Sequence, residues 1–343
     1  MMESAPRLSA IMPCYDVARW LPRCLDETLA ALPADGELLA VDDGSHDATL
    51  AILRERAKSE PRLKVMAAPH GGVSAARNRA LDVARGKYVF FVDPDDGVEP
   101  DFFSVMTEAL ERDDADGCIC GYAEREDGSD IFDTSVRLKG DYRFRSNEEI
   151  VANFLPRILG YSFADVRAWY AGKHLFTDRE MAGVWRFAFR REIIEARQVR
   201  FDESISLYED AMFNVEYLLG ADSLTCIDRP IYRVTRRESG AMRSVPRDGL
   251  RYCRNKLAML RKRDALDRQT GGRLRPLYAG TCVLSVLEIL ACLASFRLPL
   301  GDGLRLLRAY CTEPSVRAAV KSFPLSVRRP AVAVAVMLLR ILL

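Results

Sequence analysis

The sequence contains few of the residues that build disulfide frameworks or zinc sites. Among its 343 residues are nine cysteines, an odd number without paired regular spacing, and three histidines. Cys118 and Cys120 are separated by a single residue, which is not the spacing of a zinc-binding pair. We therefore exclude a disulfide scaffold and a Cys/His zinc site, and we expect reduced thiols in a cytoplasmic protein.

Long apolar runs are lacking as well. Residues 1–9 contain no apolar segment of the kind that forms a secretory signal, so we expect no signal peptide. The most apolar stretches, 279–296 and 331–343, are shorter than the roughly 20 residues of a spanning helix or are interrupted by Glu288 and Arg340. A transmembrane segment is therefore not predicted, and no internal repeat is visible.

The sequence does have the composition of a globular protein, with an uneven distribution of charge. It is 49% hydrophobic and 29% charged, and its length suits one large domain with an appendage, or two domains. Residues 1–240 hold 31 Lys and Arg against 43 Asp and Glu, whereas residues 241–343 hold 19 against 6. The basic C-terminal part is predicted to face an anionic partner, membrane or nucleic acid, or to complement the acidic part of the same chain.

Strand and helix patterns alternate over short loops in the first 123 residues. The predicted strands are 8–12, 38–41, 63–66, 88–92 and 117–122. Pro13 is expected to end the first strand, and Gly86 to end, as a C′ glycine, the helix that begins at Gly71. The alternation predicts βαβ units, and hence an α/β fold with a mostly parallel sheet flanked by helices.

The second half of the chain has a less regular pattern. Residues 124–140 are polar and are predicted to form a loop. The elements predicted after that loop are a helix at 147–170, strands at 184–189 and 224–234, and a helix that begins at Glu209. Beyond Pro246 the sequence is rich in arginine and helical in pattern. We therefore expect three parts, 1–123, 124–245 and 246–343.

The stretch 87–96 is the one around which the other segments are arranged. Tyr88 to Val92 have the pattern of a strand buried on both faces, and Asp93, Asp95 and Asp96 crowd around a proline where it stops. Ligands of open α/β sheets bind outside the carboxyl ends of the strands. Clustered carboxylates there favour Mg²⁺ or Mn²⁺ shared with substrate phosphates, although an acidic surface turn is the alternative from this stretch alone.

Four motifs occur in order along the first hundred residues. They are Ile11–Asp16 (IMPCYD), Val41–Ser45 (VDDGS), Gly71–Arg79 (GGVSAARNR) and Phe91–Asp96 (FVDPDD). Together they closely resemble family 2 glycosyltransferases, which are inverting enzymes of the GT-A fold, over about residues 8–240. The resemblance implies a Rossmann-like GT-A domain with a C-terminal helical extension, in which 1–123 is the nucleotide-sugar half and 124–245 the acceptor and catalytic half.

The resemblance also implies a set of nucleotide-binding residues. Pro13 and Tyr15 would line the base site, with the tyrosine ring stacked on the base. Asp42 and Asp43 would accept hydrogen bonds from base or ribose, and Arg77 would reach base or phosphate with its planar fork. Each residue alone also has an ordinary interpretation: a packed tyrosine, an acidic turn and an ion pair on a helix face.

Metal and catalytic residues follow from the same resemblance. Asp93 would hold the ribose or a metal-bound water, and Asp95 would coordinate the Mn²⁺ or Mg²⁺ that bridges the two phosphates. Glu209 and Asp210 match the acidic pair that opens a helix in this family, with Asp210 the expected general base and Glu209 its supporter or substitute. Tyr208 departs from the glycine that commonly precedes the pair, and capping of the helix N-terminus is the alternative role for both acids.

Further features bear on the sub-class. No Gln-x-x-Arg-Trp motif of processive synthases is present, which favours transfer of single sugars, with a UDP-sugar the expected donor. The acceptor would be a glycan or lipid-linked molecule in cell-surface polysaccharide assembly, and no nucleic acid is expected. The basic segment after the last predicted strand, and Trp185 with Arg186, resemble the family's positions near the diphosphate and the acceptor. The segment's residues are Arg233, Arg236, Arg237 and Ser239.

Two other functions remain open from the sequence. A sugar nucleotidyltransferase shares the α/β architecture and the metal, but it needs a glycine-rich phosphate loop near the N-terminus, where Ile11 to Pro13 provide none. A catalytically inactive assembly partner would be marked by loss of the carboxylates, which are present. The location is expected to be cytoplasmic, or peripheral at the inner face of the membrane if residues 246–343 dock on lipid rather than only cap the domain.

Overall fold

The structure is a computed structural model and describes residues 5–129, 131–133, 140–170, 180–237, 249–295 and 297–323. The chain divides into two compact units, Met1–Val151 with Ala182–Glu238, and Ala152–Met181 with Ser239–Leu343. This division does not coincide with the three predicted parts. Residues 152–181, which we grouped with 124–245, lie in the second unit, where Gly160 and Gly280 allow close approach of the backbone.

The first unit is built on a mixed sheet in which the described residues form nine strands. These strands are β1 (Leu8–Cys14), β2 (Gly36–Asp42), β3 (Leu63–Ala67), β4 (Tyr88–Phe91), β5 (Gly97–Val98), β6 (Gly117–Glu126), β7 (Tyr142–Phe144), β8 (Phe187–Arg190) and β9 (Leu224–Arg236). Their order is β3-β2-β1-β4-β8-β6-β9-β5, with β7 beside β9. Pairing is parallel from β3 to β4 and between β6 and β9, and antiparallel at β5, β7 and β8.

Helices connect these strands and continue beyond them. In chain order they are α1 (Leu21–Ala31), α2 (Thr49–Ala57), α3 (Val73–Leu81), α4 (Phe102–Asp113), α5 (Asn147–Glu149), α6 (Leu155–Ile158), α7 (Phe163–Tyr170), α8 (Arg191–Ala196), α9 (Glu209–Leu218), α10 (Gly249–Gln269), α11 (Arg275–Ala294), α12 (Leu300–Thr312) and α13 (Pro314–Ser322). The α1 and α4 helices bury apolar faces of regular helical spacing. The central strand β4 is completely buried.

Pro13 does not end the first strand, contrary to our expectation. The β1 strand continues to Cys14 and pairs Pro13 with Val41 of β2. Ile11 offers its carbonyl to the N–H of Val92, and residues two apart face the same neighbour, so Pro13 also faces the β4 side. Because proline has no N–H to donate on that side, the register between β1 and β4 ends at Ile11, while the pairing of β1 with β2 continues.

Gly86 is not the C′ glycine of α3. The helix ends at Leu81, and a Cβ atom on Gly86 would lie 2.3 Å from the backbone nitrogen of Ser9. The N–H of Gly86 donates to the hydroxyl of Ser9 at 2.8 Å. Glycine is therefore required here because the backbone passes directly against β1, not because a helix stops.

Three elements of the second half also differ from their predicted bounds. The β6 strand extends to Glu126, into the predicted loop, because it pairs with β9 along its length. Residues Val184–Arg186 form a 3₁₀ turn, so the predicted strand begins only at Phe187. The predicted helix 147–170 is divided by a π-helical turn at Ile150–Phe154 and by a break at Gly160, which packs against Tyr278.

The parallel strands bring the motif residues to one edge of the sheet. Cys14 pairs with Asp42, so Tyr15 and Asp43 follow side by side. Val92 continues the β1–β4 ladder and leads directly into Asp93. The carboxyl ends of β1, β2 and β4 therefore lie together, as the alternation of strands and helices predicts.

The second unit is helical and contains a buried polar network. Asp264 of α10 is buried and accepts hydrogen bonds from the Tyr278 and Ser315 hydroxyls, both at 2.6 Å. Asp267 caps the start of the next helix by accepting from the N–H groups of Leu274 and Arg275. Shared carboxylates thus fix the register of α10, α11 and α13.

The α11 helix is longer than the apolar run suggested. It has 20 residues and is long and apolar enough to cross a membrane by length and composition alone, and 44% of its most apolar window is buried within the structure. Our expectation that this run is too short for such a helix is therefore wrong. Core helices of soluble proteins pass the same test, so the finding does not establish a membrane span.

Candidate active site

An aromatic platform follows β1. Tyr15 is 39% exposed, and its ring lies over that of His70, with centroids 4.3 Å apart and planes 31° apart. His46 meets the tyrosine ring edge-on at 6.1 Å. Pro13, two residues before Tyr15, is buried within the strand. A half-exposed tyrosine held at a strand end can stack on a flat ligand ring, as the sequence predicts.

The two acids after β2 have different surroundings. Asp43 accepts hydrogen bonds from the N–H groups of Gly71 at 2.9 Å and Gly72 at 2.7 Å, one on each oxygen. It thereby holds the loop that leads into α3. Asp42 is also buried, but its Oδ1 atom has no hydrogen-bond partner. Of the two predicted ligand-binding acids, Asp42 is therefore the one with an oxygen left to accept a hydrogen bond.

Arg77 lies at the centre of the site. Its buried guanidinium contacts Asp93 at 3.0 Å, Glu209 at 3.1 Å and Asp210 at 2.5 Å. Burial alone would lower the pKa of Arg77, but the three carboxylates raise it above its ordinary value. The guanidinium also lies over the ring of Phe201, 5.1 Å from its centroid. Arg77, which we predicted to contact a base or phosphate, thus connects carboxylates from different parts of the chain.

Glu209 and Asp210 form the first turn of α9. Burial raises the pKa of Asp210 to about 8, and the nearby Glu209 and Asp93 carboxylates add to that effect, while Arg77 opposes it. The N–H of Val184 donates to the other oxygen of Asp210 at 3.2 Å. A carboxyl group with this environment is suited to accept a proton near neutral pH.

Tyr208 precedes the pair in a left-handed conformation. Its φ is 63° and its ψ 22°, a region that favours glycine, and its side chain is 40% exposed. The glycine that commonly occupies this position in the resembled family thus matches the backbone that this chain adopts with a tyrosine. The departure noted in the sequence leaves the helix start intact.

The acids after β4 are less exposed than an acidic surface turn would be. Asp95 is nearly buried and forms an ion pair with Arg237, whose guanidinium lies 4.5 Å from the centroid of the Trp20 ring. Asp96 is buried and accepts from the N–H of Thr235 at 2.8 Å. Burial raises the pKa of Asp95 to about 6 and that of Asp96 well above its ordinary value. The turn is therefore built into the site rather than solvated.

Carboxyl groups outnumber guanidinium groups at the site. The carboxyl groups are those of Asp93, Asp95, Asp96, Glu209 and Asp210, and the guanidinium groups are those of Arg23, Arg77 and Arg237. Within the described residues, no group of three or more Asp, Glu, His or Cys side chains could hold a metal ion by itself. Carboxylate oxygens are ligands that Mg²⁺ and Mn²⁺ prefer, and one or two carboxylates can hold such an ion together with substrate phosphates, so Asp93 and Asp95 remain the predicted ligands.

Two residues beside Arg77 have roles that we did not assign from the sequence. Asn78 donates from its amide nitrogen to the carbonyl of Phe201 and accepts from the N–H of the same residue, both at 2.9 Å. Arg79 contacts Asp43 at 3.3 Å. Three consecutive residues of α3 thus contact three different segments. Arg77 contacts the acids that open α9, Asn78 the loop before α9, and Arg79 the acid that follows β2. Their adjacency in the Gly71–Arg79 motif was the available sequence signal.

Other predicted residues lie away from the acids or are buried in the core. Trp185 is buried and stacks on Tyr232 with centroids 4.5 Å apart, and Arg186 is buried and donates to the carbonyl of Cys120. Arg233 contacts Glu27 at 3.0 Å and Arg236 pairs with Glu124. Of the basic segment, Arg237 alone contacts a candidate metal ligand among the described residues, and Ser239 lies outside them.

Comparisons of the sequence with known proteins identify relatives. The model of the family described as Glycosyl transferase family 2 matches residues 9–190. The uncharacterized glycosyltransferase EpsJ of Bacillus subtilis is 30% identical over 70% of this chain and 64% of its own length. The succinoglycan biosynthesis protein ExoO of Rhizobium meliloti is 30% identical over 66% of this chain and 58% of its own. The chain thus spans less than two thirds of either relative.

Solved structures share the fold at low sequence identity. TarS of S. aureus, residues 1–349 in complex with UDP, matches with a TM-score of 0.63 and 17% identity over 96% of this chain and 88% of its own. The mannosyltransferase PcManGT of Pyrobaculum calidifontis, in complex with GDP-Man and Mn²⁺, matches with a TM-score of 0.50 and 17% identity over 98% and 87%. The predicted GT-A fold with a C-terminal helical extension is confirmed.

Proposed function

The chain belongs to glycosyl transferase family 2, and on that premise we propose that it is a metal-dependent inverting glycosyltransferase. It moves a single sugar from a nucleotide-sugar, a UDP-sugar, to a glycan or lipid-linked acceptor in cell-surface polysaccharide assembly. The observation that carries the proposal is that one buried guanidinium, that of Arg77, joins Asp93 after β4 to Glu209 and Asp210. The carboxylate proposed to bind the donor and those proposed to act as base would thus lie around Arg77.

The donor would occupy the sheet edge. Tyr15 would stack on the base, and the unpartnered Oδ1 atom of Asp42 would accept a hydrogen bond from the base or ribose. Structural neighbours were solved with UDP, UDP-GlcNAc and GDP-Man, which supports a nucleotide-sugar donor of this class. Polysaccharide assembly is supported by the name of ExoO, which belongs to succinoglycan biosynthesis.

Asp93 and Asp95 would hold Mn²⁺ or Mg²⁺. When bound, the cation supplies neutralisation of the diphosphate leaving group. Arg237 contacts Asp95 and is the nearest cation to that carboxylate among the described residues, so it would stay close to the phosphates. The Mn²⁺ in the PcManGT structure supports a divalent metal in this fold.

Asp210 would act as the general base. The acceptor oxygen attacks the anomeric carbon as the bond from that carbon to the diphosphate oxygen breaks, and the acceptor proton passes to Asp210. Inversion requires base and leaving group on opposite faces of the sugar. Arg77 and the N–H of Val184 orient the two oxygens of Asp210 for this step.

The two alternatives are less well supported. A sugar nucleotidyltransferase would need a phosphate loop after β1, where the chain instead has Tyr15 stacked on His70. An inactive partner would have no reason to keep Glu209 and Asp210 beside Arg77. We also propose that the transferase works in the cytoplasm, at the inner face of the membrane, because residues 241–343 carry 19 basic against 6 acidic side chains.

A thermal-shift screen of nucleotides and nucleotide-sugars, with and without Mn²⁺, tests the donor and the metal together. A ligand present at about 100 times its dissociation constant stabilises the folded protein by about 2.7 kcal/mol. We expect a rise in melting temperature with UDP or a UDP-sugar that depends on Mn²⁺ and is lost in Asp95→Ala. The matched control is Asp101→Ala, which removes an exposed carboxylate paired with Arg229.

Transfer activity is measured on the same two variants. Asp95→Ala should abolish sugar transfer while the protein remains folded, and Asp101→Ala should retain it. Normal transfer by Asp95→Ala, or transfer that is unaffected by a chelator, would show that the metal role is wrong. If no nucleotide or nucleotide-sugar raises the melting temperature, the proposed donor class is wrong.

A further inference from the structure

The second unit presents a small apolar and basic surface where α12 begins. Leu300 is 71% exposed and Leu304 52% exposed, and they lie one helical turn apart on the same face. Arg308 continues that face one turn later, and Arg297 and Arg305 are exposed beside it. These five residues are called the α12 corner below.

The two leucines are not the core-facing side of the helix. Gly303, Leu306 and Tyr310 form the buried stripe of α12. A Cβ atom on Gly303 would lie 2.1 Å from the Leu293 side chain, so α12 packs closely on α11 through this stripe. The helix therefore already has its packing partner, and Leu300 and Leu304 are additional apolar groups on the outward side.

The chemistry of the α12 corner matches an anionic lipid surface. Leucines flanked by arginines on a helix in the second unit resemble an interfacial helix, whose apolar groups enter the headgroup region while cations contact the lipid charges. Asp302 lies in the same turn and pairs with Arg305 at 2.6 Å, so Arg297 and Arg308 provide the net positive charge of the α12 corner. A second copy of the chain would bring the same three arginines against these three in a symmetric contact, which disfavours self-association.

We infer that the α12 corner is the surface through which this protein docks on the anionic face of a lipid bilayer. The inference rests on the proposed location at the membrane and not on the chemistry of transfer. It needs no spanning helix, because two leucines and three arginines would bind at the interface. Binding should weaken as salt screens the arginine charges.

Vesicle flotation of the full chain tests this surface. Vesicles of phosphatidylcholine alone are compared with vesicles of phosphatidylcholine and phosphatidylglycerol in equal parts, at low and high salt. The wild type should float with the anionic vesicles at low salt only. Leu300→Ser combined with Leu304→Ser should weaken that binding by about tenfold, because two apolar side chains no longer enter the interface.

A matched control replaces two exposed aliphatic residues of the first unit. Val83 is 48% exposed and Ile131 81% exposed, and their combined change to Ser should leave flotation unchanged. Arg305→Glu with Arg308→Glu should abolish binding to anionic vesicles while the melting temperature is retained. The thermal shift with nucleotide, measured without vesicles, should be the same in all these variants, so failure of the donor proposal is recorded separately.

Two outcomes would overturn the inference. The wild type could fail to float with anionic vesicles even at low salt. The leucine variant could bind as well as the wild type, and a change in its melting temperature or sedimentation would then show that another part of the protein or a second copy covers the leucines.

Discussion

Two pairs of adjacent acids, Asp42–Asp43 and Glu209–Asp210, look alike in the sequence and differ in what surrounds them. Backbone N–H groups of Gly71 and Gly72 hold Asp43 on both oxygens. The second pair has one backbone donor, the N–H of Val184, and otherwise depends on a guanidinium that is shared with a third carboxylate. The first pair is largely fixed by a loop, and the second pair shares the one positive charge of Arg77 with Asp93.

This difference has a physical consequence for reactivity. Backbone amides are fixed, neutral donors that satisfy a carboxylate without being shared with other acids. Arg77 carries one positive charge for Asp93, Glu209 and Asp210, so burial of Asp210 is only partly offset and its pKa rises to about 8. Adjacent acids therefore become structural or reactive according to their donors, and the predictions below test that distinction.

The largest effect should come from Asp210→Asn. The amide keeps the size of the side chain but cannot take a proton from the acceptor hydroxyl. Removal of general-base catalysis should lower the rate by about 10²–10⁴, with nucleotide-sugar affinity little changed. Steady-state transfer rates and calorimetric titration of the donor measure the two quantities separately.

Glu209→Gln is the control for that experiment and should cost much less. Glu209 lies 3.1 Å from Arg77, farther than Asp210 at 2.5 Å. If Asp210→Asn keeps near-normal turnover while Glu209→Gln is inactive, the base is Glu209. If both remain active, the pair only caps the helix and the base lies elsewhere.

Arg77→Met should cause the next largest effect, this time on stability. The change leaves three carboxylates crowded around an apolar side chain, and removal of one partner of a buried ion pair costs about 3–5 kcal/mol. Arg79→Met is the matched control. Arg79 lies two residues after Arg77 in α3, is more exposed, and contacts Asp43 at 3.3 Å. It should cost less than about 1 kcal/mol. Chemical denaturation of both variants decides, and equal losses would show that Arg77 is not the centre of the site.

Substitution of the two members of the first pair should affect different properties, stability for Asp43 and donor binding for Asp42. Asp43→Asn turns an N–H donor against the N–H of Gly71 or Gly72, which should cost about 1–3 kcal/mol of stability. Asp42→Asn keeps one acceptor for Ser45 and should instead weaken donor binding by about tenfold. Denaturation and calorimetry with UDP measure these effects. The same loss of stability in both variants would mean that neither oxygen of Asp42 is kept for a ligand.

Much of the fold and the composition of the site followed from the sequence. Strand and helix alternation predicts the sheet edge, and the Asp93–Asp96 turn appears where β4 ends, because periodicity and proline are local signals. The grouping of Arg77 with Asp210 could not be predicted. The two residues are 133 positions apart, and a single sequence has no periodicity across that distance.

The errors at Pro13 and Gly86 have the same origin. Each residue has a common local role, as a strand end or a helix cap, and a neighbouring strand overrides it. The partner of Pro13 and the close approach of Ser9 to Gly86 are set by tertiary packing. The structural role of Asp43 in the site is likewise set by tertiary packing, since its hydrogen-bond donor Gly71 lies 28 residues away in the sequence.

The last prediction concerns the pH dependence of stability, and it examines how completely Arg77 satisfies the second pair. The pKa of Asp210 is raised to about 8 in the folded protein, from about 3.9 in an unfolded chain. The folded state therefore binds this proton more tightly, so the stability that the protonated group contributes is fully present below about pH 4 and is lost as the pH rises through about 8. Asp210→Asn removes the group, so the unfolding free energy of the wild type should fall relative to the variant between these values, by at most about 1.4 kcal/mol per pH unit. Denaturation of both proteins across this range, without divalent cations, measures the difference. Parallel curves would show that Asp210 is already ionised and that Arg77 satisfies it as fully as the backbone amides satisfy Asp43.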